Sequence, residues 1–319
     1  MLSEAHIIEY LTANFPDNIG DDAAVINGYA GQQYVVTTDL LVEDIHFRVS
    51  YFNPADLAHK ALHVNLSDIA AMGARPCFIL CGISIPMAQA KYAEDFLFSL
   101  ATICKKAGVL LIGGDTTKSP DKLFISITAI GTTAPEYIKY RTTAAVGDYI
   151  CITGALGDAH IGLIACENKR SDLTEFKNAF LRPHAKINEG QWLGTQLSVT
   201  SMMDISDGLF IDLRRLCEAS NVASNIILEN IVPSTSFINA CYDLQLDPVT
   251  TMLIGGEDYG LLFTVDSENY QLLADAFMQR FGYQITCIGH IVAGNGVHFI
   301  EQGQAKNMTL TPFSHFGEE

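Results

Sequence analysis

The sequence predicts a two-domain α/β (α+β) protein, and three observations carry that expectation. The chain has 319 residues, more than a single core usually encloses. Strand-like and helix-like segments are mixed along it instead of being sorted into blocks. The pattern also starts again after Arg141, which divides the chain into an N-terminal domain, 1–140, and a C-terminal domain, 141–319.

Taken in order, Ser3 can cap a first helix running to about Phe15, with Ile7, Ile8 and Leu11 on one face. Tyr34–Asp39 reads as a strand. Asn53-Pro54 places an N-cap before a proline at the first helical position and opens a helix to about Met72. Cys77–Ile85 has the character of a buried strand, Ala88–Ala107 of a helix, and Val109–Ile112 and Phe124–Ile130 of further strands. In the second half, Tyr149–Thr153 is a strand, and Gly154-Ala-Leu-Gly157 turns into a helix carrying Ile161, Leu163 and Ile164. Ser201–Ile205 is a buried strand and Gly208–Ser220 a helix, with more of both to about Ile300. No short repeat or low-complexity stretch interrupts the series.

Composition narrows the function. Hydrophobic residues make up 49% and charged residues 17%, as in ordinary globular proteins, and no apolar run approaches the roughly 18 residues a membrane span needs. The amphipathic, acidic start does not resemble a signal peptide, so cytoplasmic residence is expected. The eight cysteines lie scattered in apolar segments, without C-x-x-C, and are expected to be reduced core thiols. The nine histidines are not expected to hold a metal. A net charge of −17 argues against nucleic acid and anionic membranes as partners. It does not argue against a phosphorylated small molecule, because bound divalent cations reverse the local field.

The carboxylates recur where apolar segments are expected to meet turns rich in Gly, Ser or Thr. The sites are Gly20-Asp21-Asp22, Thr37-Thr38-Asp39, Ser67-Asp68, Gly113-Gly114-Asp115-Thr116-Thr117, Asp204-Ile-Ser206-Asp207-Gly208 and Gly255-Gly256-Glu257-Asp258. Each alone reads as a turn residue. Together they form an oxygen donor set suited to magnesium, calcium or manganese. Asp68 adds an independent argument. On a helical wheel it falls amid Leu57, Ala61, Val64, Ala71 and Met72, whereas Asp56, His59, Lys60, His63 and Ser67 form the polar face. A carboxylate on an apolar face requires a cation or a hydrogen-bond partner, so Asp68 is either a metal ligand or part of a core network. Walker-A, protein-kinase and G-x-S-x-G motifs are absent.

These stretches together resemble the thiamine-monophosphate kinase family, within the superfamily of aminoimidazole ribonucleotide synthetase. The resemblance rests on IGDDAAV (19–25), TTDLLVEDIHF (37–47), PADLAHKALHVNLSDIAAMGARP (54–76), LIGGDTT (111–117), TGALGDAHIGL (153–163), DISDGL (204–209), GGEDY (255–259) and FSHF (313–316). It implies an N-terminal domain whose sheet pairs with that of a second subunit in a homodimer barrel, and a C-terminal domain that closes the site. The implied reaction moves the ATP γ-phosphoryl group onto thiamine phosphate with the help of Mg2+. The implied metal ligands are Asp22, Thr38, Asp39, Asp68, Asp115, Asp204 and Asp207, with Thr37 beside them. ATP would meet Gly114, Asp115, Arg141 and Ser206, and thiamine phosphate would meet His46, Glu257 and Phe313. Read as residues alone, Arg141 could equally be a surface arginine, His46 a structural histidine, Glu257 a turn residue and Phe313 core. An acceptor that is itself a phosphate, largely dianionic at neutral pH, needs no general base, and none is expected.

Overall fold

The computed structural model describes residues 4–15 and 19–311, so Ser3 and its capping role lie outside the described residues. The elements run α1 (Glu4–Asn14), β1 (Ala24–Asn27), β2 (Gln33–Val42), α2 (Pro54–Ala71), β3 (Arg75–Pro86), α3 (Ala90–Ala107), β4 (Leu110–Ser119), β5 (Phe124–Thr133) and β6 (Tyr149–Ile152). There follow α4 (Asp158–Glu167), α5 (Thr174–Leu181), α6 (Ile187–Gly194), β7 (Val199–Asp204), α7 (Leu209–Ser220), β8 (Ala223–Ile227), α8 (Thr235–Asp243) and α9 (Pro248–Ile254). The last described elements are β9 (Leu261–Val265), α10 (Tyr270–Phe281), β10 (Thr286–Val292), β11 (Gly296–Glu301) and β12 (Gln304–Lys306). Two compact units result. One holds Ile26–Ile138 with Asp158–Thr195; the other holds the described residues up to Val25, Lys139–Gly157 and the described residues from Gln196 onward.

The first unit is built on a five-stranded sheet, order β1-β2-β5-β3-β4. It is mixed: β3 and β4 run parallel, while β2 and β3 both run antiparallel to β5. Helix α2 starts where the sequence places it, because the Asn53 side chain accepts from the N–H groups of Ala55 and Asp56 at 3.0 and 2.9 Å. Its apolar face is fully buried at Leu57, Ala61, Leu62, Leu66 and Ile69.

The expected polar face of α2 is corrected by the structure: Asp56, Lys60 and Ser67 are buried too. The cause is the segment 158–195, whose helices cover that side. At Gly190 on α6 a Cβ would stand 2.2 Å from the Ala70 carbonyl oxygen, so only glycine allows this approach. Lys60 runs under α5, with its ammonium 3.9 Å from the Phe180 ring centroid. Asp56 accepts from Asn53 Nδ2 at 2.7 Å and pairs with Arg182.

The expectation that the acidic sites lie at turns is also corrected at three places. Thr37-Thr38-Asp39 sits in the middle of β2, Asp68 lies inside α2, and Gly113–Thr117 belongs to β4, which continues to Ser119.

The second unit carries a seven-stranded sheet, order β12-β11-β8-β10-β6-β9-β7, also mixed, with β11 parallel to β8. Strand β9 is apolar on both faces, with all five residues buried. Lys139 enters this core and donates to the carbonyls of Gln196 and Val199 at 2.9 and 2.8 Å. All eight cysteines are free, and burial holds Cys81 and Cys104 up at about 11. Among the described residues no helix is long and apolar enough to cross a membrane.

Candidate active site

In the first unit, β2 runs over α2 with side chains alternating between the faces of the sheet. Thr37 faces the helix, and its hydroxyl donates to Asp68 Oδ2 at 2.5 Å, which gives the carboxylate on the apolar helix face a partner. The Asp39 N–H donates to Asn65 Oδ1 at 3.1 Å, and Asn65 in turn donates to the Ala61 carbonyl at 3.0 Å. A threonine, two aspartates and an asparagine are thus tied across β2 and α2. Thr38 points to the opposite face, is exposed, and bonds to the Ile127 carbonyl and the Thr128 hydroxyl.

Register decides how far Asp115 stands from this group. Asp39 opposes Ile127, Ile127 opposes Cys81, and Cys81 opposes Gly114. Two strands therefore separate β2 from β4, and Gly114 and Asp115 lie roughly 14 Å away, at three strand spacings. Within the chain the sheet does not bring them to Asp68.

His46 is half-buried, and its Nδ1 accepts from the Val42 N–H at 3.1 Å, so at least one ring nitrogen has a structural task. Glu43, not singled out from sequence, is buried beside it. Its carboxylate accepts from Gln89 Nε2 and from the Leu123 N–H at 2.8 Å.

In the second unit, Arg141 forms an ion pair with Asp22. Its Nη2 donates to Oδ1 at 2.5 Å and its Nε to Oδ2 at 3.3 Å, with the Asp22 side chain 1% exposed. The Arg141 N–H also donates to Asp21 Oδ1 at 2.7 Å. Burial disfavours the Arg141 cation, but Asp22, Asp204 and Asp21 more than offset it and hold its pKa above the ordinary value. Burial raises Asp21, against the pull of Arg141. Asp204 ends β7 with a carboxylate oxygen within 4.8 Å of one on Asp22.

Past Asp204 the chain makes the Ser206-Asp207-Gly208 turn into α7. This turn is closed by Asp212, a residue the sequence reading missed. The Asp212 Oδ2 accepts from the N–H groups of Ser206 and Asp207, both at 3.0 Å, and Arg215 bridges Asp212 and Asp207 at 3.1 and 2.5 Å. Burial, then the Asp207 charge, pushes Asp212 up to about 7, against the pull of Arg215. The available signal was a carboxylate in the first turn of a helix that follows a functional-looking loop.

Residues 255–260 lie along the same turn. Three backbone bonds join them: Glu257 N–H to Ser206 O at 2.7 Å, Tyr259 N–H to Ile205 O at 2.9 Å, and Ile205 N–H to Gly260 O at 2.8 Å. At Gly256 a Cβ would come within 2.7 Å of the Ser206 oxygen. Glu257 takes a left-handed φ of 71°, a conformation uncommon for a side-chain-bearing residue. Asp258 Oδ2 accepts from the Gly157 N–H at 2.6 Å and so ties in the Gly154–Gly157 turn. Of the sequence-predicted residues, this unit therefore groups Ser206, Asp207 and Glu257 in one pair of loops, and Asp22, Arg141 and Asp204 in another cluster. Phe313 lies outside the described residues.

The donors are uniformly carboxylate and hydroxyl oxygens, which fits a hard divalent cation and not a soft one. The fit has one feature to reckon with: the Asp22 carboxylate is already occupied by a guanidinium.

Comparisons with known proteins follow the same lines. The model of the AIR synthase related protein N-terminal domain matches residues 20–133, and that of the C-terminal domain matches 145–301. Thiamine-monophosphate kinase of Haemophilus influenzae is 35% identical over 309 residues, covering 94% of this chain and 92% of that protein. The Escherichia coli K12 enzyme of the same name is 35% identical over 305 residues, with 93% and 91% covered. Among solved structures, AaThiL complexed with AMPPCP and TMP superposes with a TM-score of 0.87 at 30% identity, over 99% of this chain and 97% of that one. The hydrogenase maturation protein HypE, at 20% identity and a TM-score of 0.72, shares the fold.

Proposed function

The chain belongs to the thiamine-monophosphate kinase family of AIR synthase related proteins, and from that premise we propose that it phosphorylates thiamine phosphate with ATP, giving thiamine diphosphate. This is the last step in making that cofactor. The observation that carries the reading is the full-length likeness to a relative in complex with an ATP analogue and TMP.

We further propose that several Mg2+ ions are held by carboxylates and hydroxyls: by Asp22, Asp204 and Asp207 in one unit, by Thr37, Asp39 and Asp68 on the α2 side of the first sheet in the other, and by Thr38 and Asp115 at separate places on that sheet. The ions would neutralise the repulsion between two polyanions that approach for in-line transfer. The remaining work belongs to the chain. Thr37 orients the Asp68 carboxylate through its 2.5 Å hydrogen bond. Asp212 and Arg215 hold the Ser206-Asp207 turn in shape, so that the Ser206 hydroxyl can meet nucleotide phosphates. Arg141, with Gly114 and Asp115, is assigned to ATP. The guanidinium can share its donors between Asp22 and a phosphate, because a planar fork presents five N–H groups. Glu257, held at a left-handed backbone position over Ser206, is assigned with His46 and Phe313 to thiamine phosphate. No residue is assigned the role of general base, since the acceptor oxygen carries little proton to remove near neutral pH.

A homodimer formed through the first sheet is part of the proposal. Strand β4 is an edge strand, and Leu110, Leu111 and Ile112 on it are 61%, 40% and 54% exposed. An edge this apolar favours pairing with another copy. Cytoplasmic residence, with no nucleic acid or membrane as partner, completes the reading.

The test measures thiamine diphosphate formed from ATP, thiamine phosphate and Mg2+ by the wild type and by Asp68→Asn. The expected result is magnesium-dependent product that falls at least ~100-fold in a variant with an unchanged circular dichroism spectrum. Wild-type protein that binds Mg-ATP yet forms no product would discard the acceptor. An active Asp68→Asn would discard the metal role.

A further inference from the structure

Helix α2 carries His59 and His63 four residues apart, and His184, just past α5, adds a third imidazole. All three belong to the first unit and none takes part in the phosphoryl-transfer reading. His59 and His63 stack with ring centroids 4.1 Å apart and 20° between planes. His184 meets them edge-on at 4.9 and 5.5 Å. One ring nitrogen from each lies within 4.8 Å of the others. This corrects the expectation that no histidines are placed for a metal. The signal was His59-x-x-x-His63, the helical spacing that puts two imidazoles on one face.

The surroundings suit ligation. His59 Nε2 stands 2.9 Å from the Pro183 carbonyl, which can only accept, so Nε2 carries the proton and the lone pair is left on Nδ1. Metal-bound histidines are commonly oriented by such a bond on the other ring nitrogen. His63 Nδ1 accepts from the Ala185 N–H across a long 3.3 Å, a weak bond that a ring rotation can give up. Burial, with the two neighbouring imidazoles, holds His63 down at about 3, and burial lowers His59 and His184 as well. Neutral imidazole is the ligating form. His59 and His63 line an open cavity of about 820 Å³ together with Lys106, Arg182 and Glu189. Arg182 is paired with Asp56, and Glu189 adds an acidic residue to the cavity lining.

We propose that His59, His63 and His184 bind one transition-metal ion of the zinc class, separate from the oxygen-donor residues assigned to magnesium. Nitrogen donors favour Zn2+ over Mg2+. Ligation at Zn–N distances of ~2.0–2.1 Å would draw the rings together, by about 1.4 Å from the 4.8 Å limit, into a tetrahedron of ~3.3 Å edges. Solvent or Glu189 would complete the site. The ion would tie the α5–α6 connection to α2, the helix that carries Asp68.

The experiment titrates the full chain with Co2+, and then with Zn2+ in competition, at pH 7.5 in excess Mg2+ that occupies the oxygen sites. The expected result is one equivalent bound with the visible bands of a tetrahedral nitrogen site. Affinity should fall at least ~10-fold in His184→Ala and in His59→Asn and stay unchanged in Asp68→Asn. His184 is exposed, so its replacement leaves the core intact, and matching thermal unfolding without metal verifies this. Absence of saturable binding in Mg2+ would overturn the proposal. So would binding that survives both histidine variants, or binding that Asp68→Asn abolishes.

Discussion

Asp212 offers the sharpest test of how the Ser206-Asp207 turn is held. Its carboxylate is fully buried and receives three donors: the N–H groups of Ser206 and Asp207 at 3.0 Å and Arg215 Nη1 at 3.1 Å. Replacing it by alanine removes the acceptor from the N–H groups of two half-buried residues. At ~1–3 kcal/mol for each orphaned donor, Asp212→Ala should lose ~2–6 kcal/mol of stability near pH 5, and the deficit should shrink as pH rises through ~7 and wild type loses the Asp212 contribution. Asp212→Asn keeps an acceptor oxygen but no charge, and Arg215 retains Asp207 as its partner at 2.5 Å.

The two variants separate on pH. The folded-state pKa of Asp212, about 7, lies above its ordinary 3.8 because burial opposes the charged form. A group raised on folding contributes stability that is fully present below pH ~4 and is lost as pH rises through ~7. The two values bound that loss at ~4 kcal/mol. Wild type should therefore lose stability over this window on account of Asp212, and Asp212→Asn should lose less. Urea denaturation at half-unit pH steps, with linear extrapolation, measures both. An Asp212→Asn curve parallel to wild type, or an Asp212→Ala protein within ~1 kcal/mol of wild type at pH 5, would refute the reasoning.

Thr37→Val keeps volume but removes the hydroxyl that donates to Asp68. Loss of a charge-assisted bond should cost ~1–3 kcal/mol in urea denaturation and lower the apparent affinity for Mg2+ in turnover assays. Gly190→Ala forces a Cβ to within 2.2 Å of the Ala70 carbonyl, and the backbone shift should lower the thermal midpoint by several degrees, read by calorimetry. Arg141→Gln leaves the Asp22 carboxylate, only 1% exposed, without its guanidinium. A loss of ~3–5 kcal/mol in urea is expected, partly restored by Mg2+ if the cation can take over that carboxylate.

Much of the fold was legible because its signals are local. Asn53-Pro54 announces α2, since an Asx side chain and a proline without N–H solve the same problem at a helix start. β3, β5, β6, β7 and α7 appear within a few residues of their expected bounds for the same reason, periodicity of apolar residues. The acidic motifs were legible too, and Asp68 on an apolar helix face correctly announced a required partner.

Tertiary structure decided what depends on which surface covers which. A helical wheel cannot know that residues 158–195 fold back over α2, so it assigns Lys60 and Ser67 to water although both are fully buried. It was pairing with β3, not local propensity, that drew Gly113–Thr117 into an edge strand, and register set Asp115 three strand spacings from β2. Contacts distant in sequence likewise join 205–206 to 257–260 and bring His184 to His59 and His63. Sequence alone determined which chemical groups this protein carries and which local elements present them. Only the folded chain, through burial and non-local hydrogen bonds, decided which groups become neighbours.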